Sequence, residues 1–230
     1  MAKLNGIHHF AICTADMKSQ IAYFTDVLGM ELVALYWMHG VEGAWHGFLK
    51  LNDQSSIAFV QTPQVAGIPV EIGKTHAGSP GGPSAPGTMQ HFAFNVDTEA
   101  ELLTMRDRIR SRGIDVFGHI DHGFCKSIYF AGPENLTLEV STSEGHAIDA
   151  EAWIDPEVVA LAGISADELQ RFKAPAAFVR PTRPVAQPDF DPAKPHMALP
   201  PAAYKALFGA SDEQTFARLS ETEPPVKLAG

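Results

Sequence analysis

The feature that most constrains this chain is an internal repeat. When the sequence is shifted by 82 residues, the run HFAI that begins at His9 falls on the run HFAF that begins at His91. In both copies the apolar run leads into a polar turn with an aspartate, Asp16 or Asp97, and then into a helical pattern. Self-similarity at a fixed spacing is typical of a duplicated structural unit, so the repeat predicts two copies of one module.

Each copy predicts the same order of elements. Apolar residues recur at helical spacing up to Gly29 in the first copy and up to Gly113 in the second, where a glycine favours the end of a helix. Three short β-prone runs follow each helix, at 31–37, 45–51 and 56–61 in the first copy and at 114–120, 126–130 and 136–140 in the second. The pattern predicts an α+β fold with two β-α-β-β-β modules, at about residues 4–62 and 88–142.

The segments outside the modules have a different composition. The stretch 62–87 is rich in Gly and Pro, and a connection of that length in a compact domain is usually a functional loop. After the second module we expect helices at 156–161 and at 165–173, then a proline-rich segment at 174–201, and a last helical stretch at about 202–219. The predicted division is a domain at 1–145 followed by a C-terminal extension at 146–230.

Charge and hydropathy argue against two classes of partner. The formal net charge is −10 and basic residues form no cluster, so a phosphate backbone would be repelled. No stretch approaches the roughly 18 to 20 apolar residues that a bilayer requires, and the opening segment MAKLNGIHHF lacks the apolar core of a signal peptide. We therefore expect a cytoplasmic protein with no nucleic-acid or membrane partner, whose Cys13 and Cys125 are reduced thiols.

Histidines begin the first predicted strand of each module. Because alternate residues of a strand share a face, His9 points the same way as Ala11 and away from His8. The repeat aligns His9 with His91, whereas His8 corresponds to Gln90. A lone strand histidine is more often a hydrogen-bonded core residue than a ligand, but two at equivalent positions of a repeat favour a metal site.

Glu139 is the third candidate ligand. It lies in the run LTLEV from Leu136 to Val140, a strand otherwise fit for burial, where an unpaired carboxylate is costly. A metal ion would satisfy it, and a salt bridge to Arg or Lys is the alternative. Two neutral imidazoles and one carboxylate form the facial set that suits Fe(II), with Mn(II) the nearest competitor, and they leave coordination positions open.

With these residues in place, the sequence resembles the vicinal oxygen chelate superfamily of glyoxalases, fosfomycin-resistance enzymes and type I extradiol dioxygenases. The resemblance covers about residues 5–142 and is carried by HHFAICTADMKSQIAYFTDVLGMEL, MQHFAFNV and DHGFCKSIYFAGPENLTLEV. It implies that the two modules pair into a cupped mixed sheet around a metal held by His9, His91 and Glu139. No organic cofactor is expected.

The segment from Ile120 to Glu139 resembles the extradiol dioxygenase signature. The positions that fit are His122, Ile128, Tyr129, Pro133 and Glu139, and those that depart are Gly132 and Asn135. By this resemblance, His122 and Tyr129 are candidates to orient the substrate. His76, on the loop between the modules, is a candidate acid–base group.

The first module lacks a matching acidic ligand. Aligning residues 53–58 with 134–139 puts Ala58 at the position of Glu139. Glyoxalase I and the related epimerases, which this chain resembles, generally have a ligating side chain there, so Ala58 would leave room for two substrate oxygens and O₂. The expected function is extradiol cleavage of a catechol-like aromatic diol with Fe(II) and O₂.

Two metal-dependent alternatives remain. A glyoxalase-like lyase or isomerase would take a fourth ligand from a loop, and a transferase of the fosfomycin-resistance type would be expected to show a basic cluster for a phosphonate. A binding protein of the bleomycin-sequestering type would have no use for the three ligands. The C-terminal extension is expected to cap the metal cavity or to clasp a second subunit, so a homo-oligomer is among the expectations.

Overall fold

A computed structural model describes residues 3–227 of the chain. Among the described residues, its contacts define two units, one of residues 4–37 and 43–175 and the other of residues 3, 38–42 and 176–227. The first unit contains both sheets and also residues 146–175, which the sequence had assigned to the extension. Within residues 3–227, no helix is long and apolar enough to cross a membrane.

The elements follow the predicted order. The strands are β1 (His9–Cys13), β2 (Glu31–Trp37), β3 (Trp45–Asn52), β4 (Ser55–Gln61), β5 (Phe92–Asn95), β6 (Val116–Asp121), β7 (Lys126–Ala131) and β8 (Thr137–Thr142). The helices are α1 (Met17–Asp26), α2 (Glu99–Ser111), α3 (Ala150–Trp153), α4 (Pro156–Leu161), α5 (Ala166–Lys173), α6 (Pro201–Phe208) and α7 (Asp212–Leu219). Short 3₁₀ turns lie at Val65–Gly67 and Pro133–Asn135. The helical stretch predicted at about 202–219 consists of two helices, because Ser211 caps a new helix by accepting a hydrogen bond from the Gln214 amide.

The two modules have the same topology. Their strand orders are β1-β4-β3-β2 and β5-β8-β7-β6, and in each sheet the first strand runs parallel to the last strand of its module. The predicted class, α+β with two paired β-α-β-β-β modules, is confirmed. The strands are hydrogen-bonded into two separate four-stranded sheets and not into one sheet of eight strands.

One face of each sheet packs into a core shared by the two modules. Phe10 of β1 contacts Phe92 of β5, with ring centroids 5.4 Å apart, and Phe24 of α1 lies 6.3 Å from Phe94. The core cluster draws on α1, α2 and both sheets. Because strand side chains alternate, this packing leaves the opposite face of each sheet for His9, His91 and Glu139.

A carboxylate from the second module binds the start of the first module's helix. Glu134 accepts hydrogen bonds from Thr14 Oγ1 at 2.6 Å, from the Ala15 amide at 2.7 Å and from Gln20 Nε2 at 2.8 Å. Glu134 and Asn135 both have left-handed backbone angles, with φ of 53° and 61°. This turn conformation accounts for Asn135, since asparagine tolerates the left-handed region that a glycine would otherwise supply.

The hydrogen bonds also control the charge of Glu134. Burial alone would raise its pKa, but the hydrogen bonds from Thr14, Gln20 and Ala15 outweigh burial and lower the pKa below the ordinary value. A carboxylate whose pKa is lower in the folded state stabilises the fold at pH values above its unfolded-state pKa. That contribution is lost as the pH falls through the folded-state pKa.

We expect Glu134→Ala to lower the free energy of unfolding by about 2 kcal/mol at neutral pH, because three donors lose a charged acceptor. Urea titrations followed by circular dichroism would measure this, with the exposed Glu42→Ala as the control. The difference between wild type and Glu134→Ala should shrink as the pH is lowered into the acid range. A difference that stays constant with pH would contradict the assignment.

Candidate metal centre

Two of the three predicted ligands meet on the open face of the second module. Glu139 lies in the middle of β8, and His91 immediately precedes β5, the parallel neighbour of β8. The distance from His91 Nε2 to Glu139 Oε2 is 2.8 Å. Metal bonds of about 2.1 Å at right angles place adjacent ligand atoms about 3 Å apart, so this pair has the spacing of two ligands of one ion.

Gln90 orients the His91 ring. Its side-chain nitrogen lies within hydrogen-bond distance of the carbonyl oxygens of Ser79, Pro80 and Gly82, so its Oε1 is the atom that contacts His91 Nδ1. Nδ1 must then carry the hydrogen, because an amide oxygen only accepts. In a neutral ring, Nε2 therefore presents a lone pair to the Glu139 carboxylate.

Two lone pairs at this separation need a positive charge between them. A metal ion supplies it, and a proton on Nε2, which makes a salt bridge, is the other solution. The donor set of a neutral imidazole and a carboxylate is one that Fe(II) and Mn(II) accept. The pair therefore fits a divalent ion as two of its ligands.

Hydroxyl groups hold the carboxylate from behind. Ser141 donates a hydrogen bond of 2.5 Å to Glu139 Oε1, and Ser127 lies 2.9 Å from Ser141. Glu139 is 5% exposed and Ser127 is fully buried. A carboxylate whose one oxygen accepts a hydrogen bond while the other faces a second candidate ligand is typical of a metal ligand with an outer shell that fixes its orientation.

His122 and Tyr129 lie together beside this pair. Their side chains are joined by a contact of 3.0 Å between His122 Nε2 and Tyr129 Oη, and the Tyr129 ring lies 6.0 Å from the His91 ring. Burial and then the nearby Glu139 charge raise the pKa of Tyr129 above its ordinary value. Tyr129 therefore keeps its proton and acts as a hydrogen-bond donor at neutral pH.

His9, the third predicted ligand, lies on the open face of the first module. It is exposed, its Nδ1 lies 2.9 Å from that of His8, and its ring lies 5.8 Å from Phe48. In the described part of the chain, no three His, Cys, Asp or Glu side chains converge closely enough to hold a metal ion. The structure thus brings His91 and Glu139 together and leaves His9 apart from them.

The open face of the first module is aromatic. Tyr36 and Phe48 stack with their rings 13° from parallel and 6.1 Å apart, and His46 lies against both. Among the other aromatic residues of the first module's strands, Phe59 is buried and Trp45 packs against the core, whereas Trp37 is 72% exposed. Phe48 is therefore the residue on β3 that joins the His9 face.

The strand registers support the alignment of Ala58 with Glu139. Ala58 pairs with Ala11 and with Phe48, just as Glu139 pairs with Ala93 and with Tyr129. Phe48 thus takes the place of Tyr129 in the first module. At the position where the second module has a carboxylate, the first module has a buried methyl group.

His76 lies in the loop between the modules. Its Nδ1 is 2.9 Å from Thr75 Oγ1, and Ile72 forms a bridge with it. These contacts are local, and its acid–base role stays a prediction. Gln90 and Ser141 are the residues that the sequence reasoning missed. In the sequence, the signal for Gln90 is its position next to a candidate ligand.

The geometry can be compared with known proteins. A family model described as Glyoxalase/Bleomycin resistance protein/Dioxygenase superfamily matches residues 6–148. The chain is 28% identical over 123 residues to the Bacillus subtilis protein named "Putative ring-cleaving dioxygenase MhqA", an alignment that covers 52% of this chain and 38% of that protein. It is also 28% identical over 142 residues to the Uncharacterized protein YaeR of Escherichia coli, covering 61% and 98% of the two chains.

Solved structures show similarity at lower identity. A lactoylglutathione lyase from Agrobacterium tumefaciens is 21% identical, with a TM-score of 0.44, over 62% of this chain and 97% of that one.

We expect Glu139→Ala to remove most of the bound metal while the fold is kept, because the carboxylate is one of two clustered ligands. Metal analysis after anaerobic purification and circular dichroism would measure the two quantities, with the exposed Glu31→Ala as a matched control. If Glu139→Ala retains stoichiometric metal, the His91–Glu139 pair is an internal salt bridge and the assignment fails.

Proposed function

Because this chain belongs to the Glyoxalase/Bleomycin resistance protein/Dioxygenase superfamily, we propose that it is a metal-dependent dioxygenase of the extradiol type. Its substrate would be a catechol-like aromatic diol, cleaved with O₂. Fe(II) is the ion that we expect, and Mn(II) is the competitor. The bound ion would supply a Lewis acid and open positions for the two diol oxygens and for O₂.

The observation that carries this proposal is the contrast between Glu139 and Ala58. The two occupy the same register position of the repeat, yet only one is acidic. His9, His91 and Glu139 together would hold the ion with three protein ligands and leave positions for substrate oxygens and O₂. A lyase or isomerase that relies on a fourth side chain would find only a methyl group at Ala58.

We propose that a second copy of the chain completes the ligand set. The shared core turns the His9 face and the Glu139 face outward, and His9 is exposed in the single chain. In a twofold dimer, the His9 face of one copy can cover the Glu139 face of the other, and each copy does the same for its partner. The 66% exposed Phe117, on the Glu139 face, supports the idea that this face is covered by another molecule.

The residues around the pair fit the handling of a diol. The Tyr129 hydroxyl keeps its proton and can donate to a substrate oxygen, and His122 can hold or accept the proton at its Nε2. The stacked Tyr36 and Phe48 rings, next to His9, would offer an aromatic wall to a planar substrate.

Mixing two inactive variants tests the divided ligand set. His9→Ala and Glu139→Ala chains, unfolded and refolded together, should form mixed dimers in which one site has both His9 and Glu139. Random pairing then restores about one quarter of the wild-type metal content and oxygen uptake. Glu139→Ala mixed with His91→Ala is the matched control and should restore nothing, since both changes affect the same half-site. No recovery in the first mixture would show that one chain holds all its ligands.

Oxygen uptake with a panel of catechols tests the reaction itself. Wild-type protein loaded with Fe(II) should consume O₂ with at least one catechol, and a yellow ring-opened product should absorb in the visible range. Ala58→Glu should lower uptake by about tenfold or more while metal affinity holds or rises, because the new carboxylate occupies a free position. Ala58→Gln controls for size, and circular dichroism controls for folding. Undiminished uptake in Ala58→Glu would overturn the argument from the repeat.

A further inference from the structure

The side-chain amide of Gln90 connects two parts of the molecule. Its nitrogen lies 3.1 Å from the Ser79 carbonyl, 2.8 Å from the Pro80 carbonyl and 3.0 Å from the Gly82 carbonyl, so its two hydrogens are shared among three acceptors. Its oxygen contacts His91 Nδ1. The reverse orientation would point the amide oxygen at three carbonyl oxygens, which excludes it on electrostatic grounds.

The loop that supplies these carbonyls is tightly built. The Gly82 amide donates to the Ser79 carbonyl at 3.1 Å, which closes the turn. A Cβ added to Gly82 would lie 2.1 Å from the Ala77 carbonyl oxygen, so an alanine there would force the backbone to move. The three acceptors therefore hold their positions only while residue 82 is glycine.

We propose that Gln90 is a positioning residue that couples the loop at Ser79–Gly82 to the metal-binding geometry of His91. The inference rests on the proposed metal site. The loop fixes the Gln90 amide, the amide oxygen accepts the Nδ1 hydrogen, and Nε2 is left as the nitrogen that faces Glu139. Through this chain of contacts, the long connection between the modules acts on a ligand without touching the ion.

The oxygen and the hydrogens of the Gln90 amide have separate effects. Loss of the Gln90 oxygen frees the His91 ring to turn or to bind through Nδ1, which weakens metal binding. Loss of the Gln90 hydrogens frees the loop and leaves an acceptor for the histidine. Gln90→Leu removes both functions, whereas Gln90→Glu keeps an acceptor for Nδ1 and repels the loop carbonyls.

Metal affinity and the state of the His91 ring can be measured without any substrate. In anaerobic titrations with Mn(II) alone, Gln90→Leu should raise the dissociation constant about 10- to 100-fold, the range found when the outer partner of a metal-binding histidine is removed. ¹⁵N NMR of protein loaded with diamagnetic Zn(II) should show His91 with hydrogen on Nδ1 and metal on Nε2 in the wild type. In Gln90→Leu, that signature should be lost or mixed.

The local opening of the loop at Ser79–Gly82 is measured by amide hydrogen exchange. Gln90→Glu should weaken metal binding less than Gln90→Leu, because it keeps an acceptor for Nδ1, while amide exchange around Ser79–Gly82 becomes faster. Gly82→Ala should also weaken metal binding, although it lies in the loop. Gln54→Leu, at an exposed glutamine in the turn between β3 and β4, is the control and should change nothing.

Two results would overturn the inference. One is an unchanged Mn(II) dissociation constant and an unchanged His91 signature in Gln90→Leu, and the other is Zn(II) bound through Nδ1 in the wild type. Neither depends on ring cleavage. If no catechol is consumed while these metal and NMR results hold, the dioxygenase assignment fails and the role of Gln90 stands.

Discussion

The strands of both sheets, β2 excepted, pack one face into the core that the modules share. Phe10 and Phe92 meet across the modules, and Phe24 reaches Phe94, so the faces of both sheets that carry the helices pack into one hydrophobic core. Strand alternation then leaves His9, His91 and Glu139 on the opposite faces. The chemistry of the protein depends on this constraint, because a different register of one residue would bury the imidazoles and expose the phenylalanines.

Polar contacts keep the two modules in this relation. The Glu134 carboxylate, from a turn of the second module, holds three donors at the start of α1, and Arg108 of α2 donates to the Val27 carbonyl at the end of α1. Each of these contacts joins residues more than 80 positions apart. They fix the helix of one module against the other, and the position of the open faces follows.

The repeat and the strand periodicity were enough to predict the α+β class, the eight strands and the pair of His91 and Glu139. The alignment of Ala58 with Glu139, made from sequence alone, agrees with the observed registers. The position of His9 relative to the pair could not be predicted, because periodicity assigns a face to a residue and does not say which faces meet. The contacts of Gln90 with the loop at Ser79–Gly82 were also out of reach, since the path of a glycine-rich loop depends on tertiary packing.

The exposure of His9 has a consequence for how such a protein behaves in a cell. The proposed division of the ligand set between two chains would link metal binding to association, so that each process would strengthen the other by mass action. Under that proposal, the apparent affinity for the ion would rise with the concentration of the protein, and dilution would release metal and monomer together. Abundance itself would act as a control on the fraction of loaded sites, with no separate regulatory element in the chain.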